Sequence, residues 1–131
     1  MEYFRHIQLN AHLIRIIGLD ETCFYLVNGS EKTVLLDAGS GYGDLKSYIE
    51  DNKLATHDEI DVIATHGHHD HIGALEGLRE HYDPWKLRVY AAKPEQEVLM
   101  VKDYNLSPMF GEGYTTHANM MIDDKQIFEV T

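Results

Sequence analysis

The chain has little cysteine, little proline and no long apolar run. Its 131 residues include three prolines and one cysteine, Cys23, so an intrachain disulfide is excluded. Cys23 lies in the apolar run 23–27, and we expect it to be a small buried side chain rather than a nucleophile. No apolar stretch reaches membrane-spanning length, and no basic leader precedes one at the start. These absences favour a cytoplasmic protein without a membrane partner.

Positive charge is also scarce. Eleven Lys and Arg residues face 22 Asp and Glu residues, which gives a net charge of −11. A nucleic-acid partner is therefore not expected, because such binding needs clustered Lys and Arg to displace counterions. The acidic residues are spread along the chain, which is typical of a solvated exterior. With 44% hydrophobic residues, the composition fits a single domain over 1–131 with one core.

Apolar periodicity predicts an α+β protein with a mixed sheet and helices on one face. One or two strands are expected within 4–17, and Asn28-Gly29-Ser30 predicts a hairpin between two further strands. Asp44 is a candidate N-cap for a helix that ends near residue 52. The remaining predicted elements are strands at 60–64, 87–91 and 126–130, helices at 73–82 and 94–101, a loop at 105–119 and a turn at 123–125.

Histidine is concentrated directly after the strand predicted at 60–64. The stretch is His66-Gly67-His68-His69-Asp70-His71. Neutral imidazole and carboxylate are ligands that suit zinc, iron and manganese. Two residues apart on extended backbone, the first two metal ligands, His66 and His68, would face one ion. Gly67 is expected to permit a tight turn between them, after which Asp70 and His71 would face a second ion.

The same spacing predicts a hydrolytic mechanism. Metal binding lowers the pKa of water from 15.7 to about 7, so two neighbouring ions would supply a hydroxide that attacks a carbonyl or phosphoryl centre. Asp70 would hold one ion and act in catalysis, by orienting the hydroxide or by passing a proton to the leaving group. His69 is out of phase with the ligands and is expected to face solvent or to lie behind them. A surface histidine cluster and a structural metal site remain as alternatives.

Three segments resemble the metallo-β-lactamase superfamily, and they follow one another along the chain as in that family. They are the strand 23–27, the strand and small-residue loop 34–41, and the stretch 65–75. The resemblance covers roughly residues 8–100. It implies a four-layer αβ/βα sandwich with a dinuclear site, two zinc ions or else iron or manganese, and hydrolysis of esters, thioesters, lactones or similar bonds. It also implies that Asp37 lies beneath the metals, although a loop-capping role explains Asp37 equally well.

The resemblance is incomplete after the motif. Members of the family carry a third histidine, a bridging aspartate and a last histidine downstream, whereas only His81 and His117 follow His71 here. His81 is expected on a helix surface, and the role of His117 stays open. The closing segment 123–131 resembles the hairpin that precedes the third histidine in the family. We therefore expect the amino-terminal portion of a longer protein, with weak metal binding and little or no turnover on its own.

Such a partial fold would expose a sheet face and a strand edge, so self-association is expected. Two further hypotheses stay open: a catalytically silent interaction module and a di-iron redox member of the family. The substrate would be a small molecule of unknown identity. Aromatic and methionine side chains that either line its pocket or simply pack are Tyr42, Tyr104, Met109, Phe110 and Tyr114.

Overall fold

One mixed sheet of seven strands organises the residues that the computed structural model describes, which are 2–83 and 86–122. The strands are β1 (Phe4–Gln8), β2 (Leu13–Gly18), β3 (Cys23–Asn28), β4 (Thr33–Leu36), β5 (Ile60–Ile63), β6 (Leu87–Ala92) and β7 (Met120–Ile122). The helices are α1 (Leu45–Asp51), α2 (His69–Ile72), α3 (Leu75–His81), α4 (Lys93–Met100) and α5 (Lys102–Asn105), followed by a 3₁₀ turn at Ser107–Met109. The turn predicted at 123–125, the strand predicted at 126–130 and the hairpin-like segment 123–131 lie outside the described residues.

The strands lie in the sheet in chain order. Neighbours from β1 to β4 are antiparallel, and neighbours from β4 to β7 are parallel. Parallel crossovers are almost always right-handed, and here each one steps to the next strand in the same direction. All the crossover helices therefore pack on one face of the sheet. The predicted α+β architecture with a mixed sheet and helices on one face is confirmed.

The core lies between the sheet and the helices. It is formed by alternate strand residues and by the inner sides of α1, α3 and α4, among them Phe24, Leu26, Leu35, Val62, Val89, Ile49, Leu75, Leu78 and Leu99. The opposite face of the sheet carries a row of half-buried side chains across five strands, Arg15, Tyr25, Leu36, Ile63 and Tyr90. Among the described residues, no helix is both long enough and apolar enough to cross a bilayer.

Local sequence patterns predict most of these elements. The β3–β4 hairpin is closed by a bond from the Gly29 amide to the Lys32 carbonyl at 2.9 Å. Asp44 caps α1 by accepting from the Ser47 amide at 3.0 Å. Both predictions are confirmed.

Two local predictions are wrong. Cys23 is exposed, because it alternates with the buried Phe24 and so points away from the helices. The segment 105–119 is not all loop: it begins in the last turn of α5 and contains the 3₁₀ turn, and the unpredicted strand β7 follows it directly. Pairing with β6, rather than the propensity of three residues, makes this segment a strand.

Candidate metal centre

The histidine motif lies at the carboxyl edge of the parallel strands. Asp37 directly follows β4, and Thr65 and His66 come shortly after β5. The two strand ends are joined by a bond from the Asp37 amide to the Ile63 carbonyl at 2.9 Å. Parallel pairing brings these carboxyl ends to one edge of the sheet, where ligands usually bind in α/β sheets.

The small-residue loop after β4 braces helix α2. The Ala38 amide donates to the His71 carbonyl at 2.8 Å, and the Gly73 amide donates to the Gly39 carbonyl at 2.7 Å. A Cβ on Gly73 would lie 2.1 Å from the Ser40 carbonyl carbon, so no other residue fits there without a backbone shift. This close approach fixes α2, and with it Asp70 and His71, against the end of β4. Helix formation begins at His69, earlier than the predicted start at residue 73.

Asp37 holds two parts of the motif with one carboxylate. It is 7% exposed and lies in the left-handed backbone region with φ of 66°. Its Oδ1 accepts from the Thr65 amide at 2.7 Å, and its Oδ2 lies 2.9 Å from Nδ1 of His71. Since a carboxylate only accepts, Nδ1 of His71 carries the proton and Nε2 keeps its lone pair for a metal. Asp37 therefore caps the loop at Thr65 and also contacts His71, while its role beneath a metal stays a prediction.

Thr65, which the motif spacing does not single out, extends this arrangement to His66. The Thr65 hydroxyl donates to Oδ2 of Asp37 at 2.8 Å and lies 2.9 Å from Nδ1 of His66. A hydroxyl has one proton, so Nδ1 of His66 donates to it and Nε2 of His66 is left as an acceptor. The only available signal was a threonine between the end of a predicted strand and the first histidine.

Three side chains of the motif converge. His66, Asp70 and His71 each offer a ligand atom, and these atoms lie within 4.8 Å of one another. Nε2 of His71 is 3.6 Å from Oδ2 of Asp70, and the rings of His66 and His71 have centroids 4.1 Å apart. Two imidazole nitrogens and one carboxylate oxygen are donors that suit a divalent metal such as zinc, iron or manganese. The donor chemistry of this group therefore fits a metal ion.

His68 does not join this group. It is exposed, and its ring centroid lies 5.0 Å from that of His66. The assignment of His66 and His68 to one ion and of Asp70 and His71 to another therefore stays a prediction. Gly67 does not have a positive φ, so left-handed backbone is not the reason for a glycine there. A Cβ there would lie 2.7 Å from Cγ1 of Val98 on α4, so close packing requires the glycine.

His69 faces the segment after α5. Its ring stacks on Phe110 with centroids 3.8 Å apart and an interplanar angle of 12°. Its carbonyl accepts from the Tyr114 hydroxyl at 3.1 Å, and its Nδ1 is buried without a partner among the described residues. Burial, helped by the charge of Asp70, raises the pKa of Tyr114 to about 12. His69 thus packs against the segment after α5 and is only partly exposed.

The remaining histidines after the motif lie apart from it. His81 ends α3 and is exposed, as expected. His117 is exposed as well, and its carbonyl accepts from the guanidinium of Arg79 on α3. Neither belongs to the converging group found within residues 2–83 and 86–122.

Comparison with known proteins gives one family. The family model described as the metallo-beta-lactamase superfamily matches residues 18–117. Similar curated proteins include the probable metallo-hydrolase YqgX of Bacillus subtilis (strain 168), 29% identical over 71% of this chain and 41% of that protein. The atrochrysone carboxyl ACP thioesterase nsrC of Aspergillus novofumigatus is 27% identical over 85% of this chain and 36% of that protein. The chain thus spans only about two fifths of the length of these relatives.

Solved structures share the fold at low identity. The subclass B3 metallo-beta-lactamase BJP-1 of Bradyrhizobium japonicum superimposes with a TM-score of 0.73 at 16% identity, over 94% of this chain and 47% of that chain. The mono-zinc form of the metallo-beta-lactamase FIM-1 of Pseudomonas aeruginosa gives a TM-score of 0.63 at 14% identity, over 93% of this chain and 51% of that chain. These likenesses concern the fold.

Proposed function

The chain belongs to the metallo-beta-lactamase superfamily, and we propose that His66, His68, Asp70 and His71 are metal ligands of a hydrolase. The observation that carries the proposal is the shared carboxylate of Asp37. Directly at His71, and through Thr65 at His66, it engages the Nδ1 atoms and leaves two Nε2 atoms as acceptors for a metal. Carboxylate–histidine–metal arrangements of this kind set the tautomer and orientation of metal ligands.

We propose zinc as the metal, with iron and manganese as alternatives, and two ions in the complete site. A bound zinc ion would supply a Lewis acid and would lower the pKa of water to about 7. Four ligands are fewer than two catalytic sites need, so we propose that further ligands come from outside the described residues. This chain on its own would then bind zinc weakly and turn over slowly.

Among the motif residues, Asp70 has the position for proton transfer. Its carboxylate is 39% exposed, whereas that of Asp37 is 9% exposed. Asp37 is committed to hydrogen bonds with Thr65 and His71. Asp70 is thus the carboxylate that a substrate can approach, and we propose that it carries the proton to the leaving group.

We propose a small ester, thioester or lactone as the substrate. The relative nsrC is named a thioesterase, which supports a thioester as the first candidate among these. A net charge of −11 would repel polyanionic substrates such as nucleic acid, which argues against nuclease activity.

Zinc affinity measured by competition with a fluorescent chelator tests the ligand assignment. Asp70→Asn removes a ligand charge and is expected to weaken zinc binding at least about tenfold. His81→Ala removes an exposed histidine of α3 and should leave the affinity unchanged, which controls for nonspecific binding. Equal affinities for the wild type and Asp70→Asn would contradict the proposal. The rate at which the chain hydrolyses an acyl thioester in the presence of zinc then tests the reaction class.

We also propose that the chain self-associates through the sheet face opposite the helices. The half-buried row on that face includes Tyr25, Leu36 and Ile63, and no described element covers it. Two copies of charge −11 repel each other, so association should strengthen when salt screens them. Sedimentation at rising ionic strength checks this, with Tyr25→Glu expected to keep the chain monomeric. A monomer at every salt concentration would refute it.

A further inference from the structure

Two large apolar side chains stand exposed next to the histidine motif. Met109 is 73% exposed and Phe110 is 59% exposed, and they are consecutive residues at the end of the 3₁₀ turn. We call this pair the apolar wall. Single exposed apolar residues are common, whereas contiguous exposed apolar surface often marks a site of ligand or partner contact.

A buried polar network holds the segment that carries the wall. Asn105 is 0% exposed, and its Nδ2 donates to the Tyr114 carbonyl at 2.9 Å. Its Oδ1 accepts from the Ser107 amide at 2.9 Å, and the Ser107 hydroxyl accepts from the Tyr114 amide at 2.9 Å. The Phe110 amide donates to the Ser107 carbonyl at 3.0 Å. Satisfied buried networks rigidify the backbone, so the exposure of the wall is built into the fold.

The same segment is fastened to the motif. The ring of Phe110 stacks flat on His69 at a centroid distance of 3.8 Å, and the Tyr114 hydroxyl donates to the His69 carbonyl. His69 stands in the chain between the proposed ligands His68 and Asp70. One face of the Phe110 ring is thus used to reach the motif, while more than half of the residue stays in water.

We propose that the apolar wall is a subsite for the apolar part of the substrate, an aliphatic or aromatic acyl group whose carbonyl lies at the metal ligands. The inference rests on the proposed function and adds the chemical class of the acyl group. Charge agrees with it: a chain with net charge −11 disfavours an anionic acyl tail and leaves apolar contact as the available attraction. Met109 and Phe110 would act as specificity-determining residues.

Carboxylate products provide the probes. The ¹⁵N-labelled chain, with zinc present, is titrated with acetate, octanoate and benzoate, and dissociation constants are read from amide shifts. Each methylene that fully leaves water is worth a factor of about four in affinity, so octanoate should bind at least about tenfold more tightly than acetate. Benzoate should do likewise, and shifts should include the amides of Met109 and Phe110.

Substitutions in the apolar wall test whether it is the source of the preference for octanoate over acetate. The double change Met109→Ala with Phe110→Ala should lower the octanoate-to-acetate ratio to about threefold or less. Phe110→Leu keeps apolar area and should retain most of the octanoate preference while weakening benzoate. Leu9→Ala removes another exposed apolar side chain, 41% exposed, from the β1–β2 turn at the opposite edge of the sheet, and it should change neither affinity. Far-UV circular dichroism verifies that each variant is folded.

Three outcomes overturn the inference: octanoate binding no tighter than acetate, a preference unaffected by the double change, or a dimer that Phe110→Ala dissociates. The last would make the wall an interface between copies. Repeating the titration in EDTA separates the two proposals. If zinc does not bind but the wall-dependent preference persists, the metal assignment fails and the subsite stands. If zinc binds and no preference exists, the subsite alone fails.

Discussion

The Nδ1 atoms of His66 and His71 are hydrogen-bonded to protein side chains, whereas the ring of His68, in the same motif, is not. We call His66 and His71 the held ligands and His68 the unheld ligand. The first two reach Asp37, one through the Thr65 hydroxyl and one directly. His68 is exposed just before α2, and its ring, 5.0 Å from that of His66, has no hydrogen-bond partner among the described residues. The difference between these two parts of the motif is the presence of a buried carboxylate at the end of β4.

This difference has an energetic meaning. A ring fixed by a hydrogen bond loses little rotational freedom when it binds a metal, and its tautomer is already the binding one. A ring without such a bond must be ordered by the metal itself. We therefore expect the held ligands to dominate the affinity of this chain and His68 to contribute less until further groups surround it.

The loop that supports the held ligands should be the least tolerant part of the site. Gly73→Ala places a Cβ against the Ser40 backbone, and we expect a loss of about 3 kcal/mol or more in the free energy of unfolding. Gly77→Ala is the matched control, since a Cβ at Gly77 in α3 meets nothing within 4 Å. It should stabilise the chain by about 0.5–1 kcal/mol. Urea unfolding measures both, and equal stabilities would contradict the bracing of α2.

Removing a held ligand should cost more zinc affinity than removing the unheld one. We expect His71→Ala to weaken zinc on the order of a hundredfold and His68→Ala about tenfold. Chelator competition measures both under one set of conditions. Full affinity in His68→Ala would remove His68 from the ligand set, and an equal loss in the two variants would show that the hydrogen bonds behind the rings do not matter.

The carboxylate of Asp37 can be removed by a substitution that leaves every proposed metal ligand in place. Asp37→Ala should weaken zinc binding about 10–100-fold, the usual effect of losing a partner behind a metal ligand. Asp44→Ala is the control, because Asp44 also accepts from a backbone amide, at the start of α1. It should lower stability by about 1 kcal/mol and leave zinc binding unchanged. If both variants lose affinity in proportion to stability, the role of Asp37 is structural only.

The contrast also explains what the sequence could predict. The motif spacing, the hairpin and the cap of α1 are local, so they could be predicted from neighbouring residues. The role of Thr65 depends on Asp37, 28 positions away, which parallel pairing brings near it. Its role therefore needs the strand order, which periodicity alone does not provide.

Glycine and cysteine show the same limit. Gly67 is required by its close approach to Val98 on α4 rather than by a positive φ, and that neighbour could not be predicted from the motif. Cys23 is exposed because the register of β3 places Phe24 in the core. An apolar run does not show which of its two faces is inward. His69 likewise needed the distant Phe110 to explain its place.

Tyr114 contacts the motif at His69, next to the unheld ligand His68, and loss of its hydroxyl should have the smallest effect on the site. Tyr114→Phe loses the bond to the His69 carbonyl, which should lower stability by about 1 kcal/mol and change zinc affinity less than about threefold. Burial raises the pKa of Tyr114 to about 12, and that of Tyr82 likewise, whereas an unfolded tyrosine ionises near pH 10. The folded chain thus favours the neutral phenols. Their contribution to the free energy of unfolding is complete below pH 10 and is lost as the pH rises from 10 towards 12. Urea midpoints at about pH 9 and about pH 11 should show a smaller alkaline loss in Tyr114→Phe, and in Tyr82→Phe, than in the wild type. An unchanged loss in Tyr114→Phe would mean that the phenol beside the motif is not buried in solution.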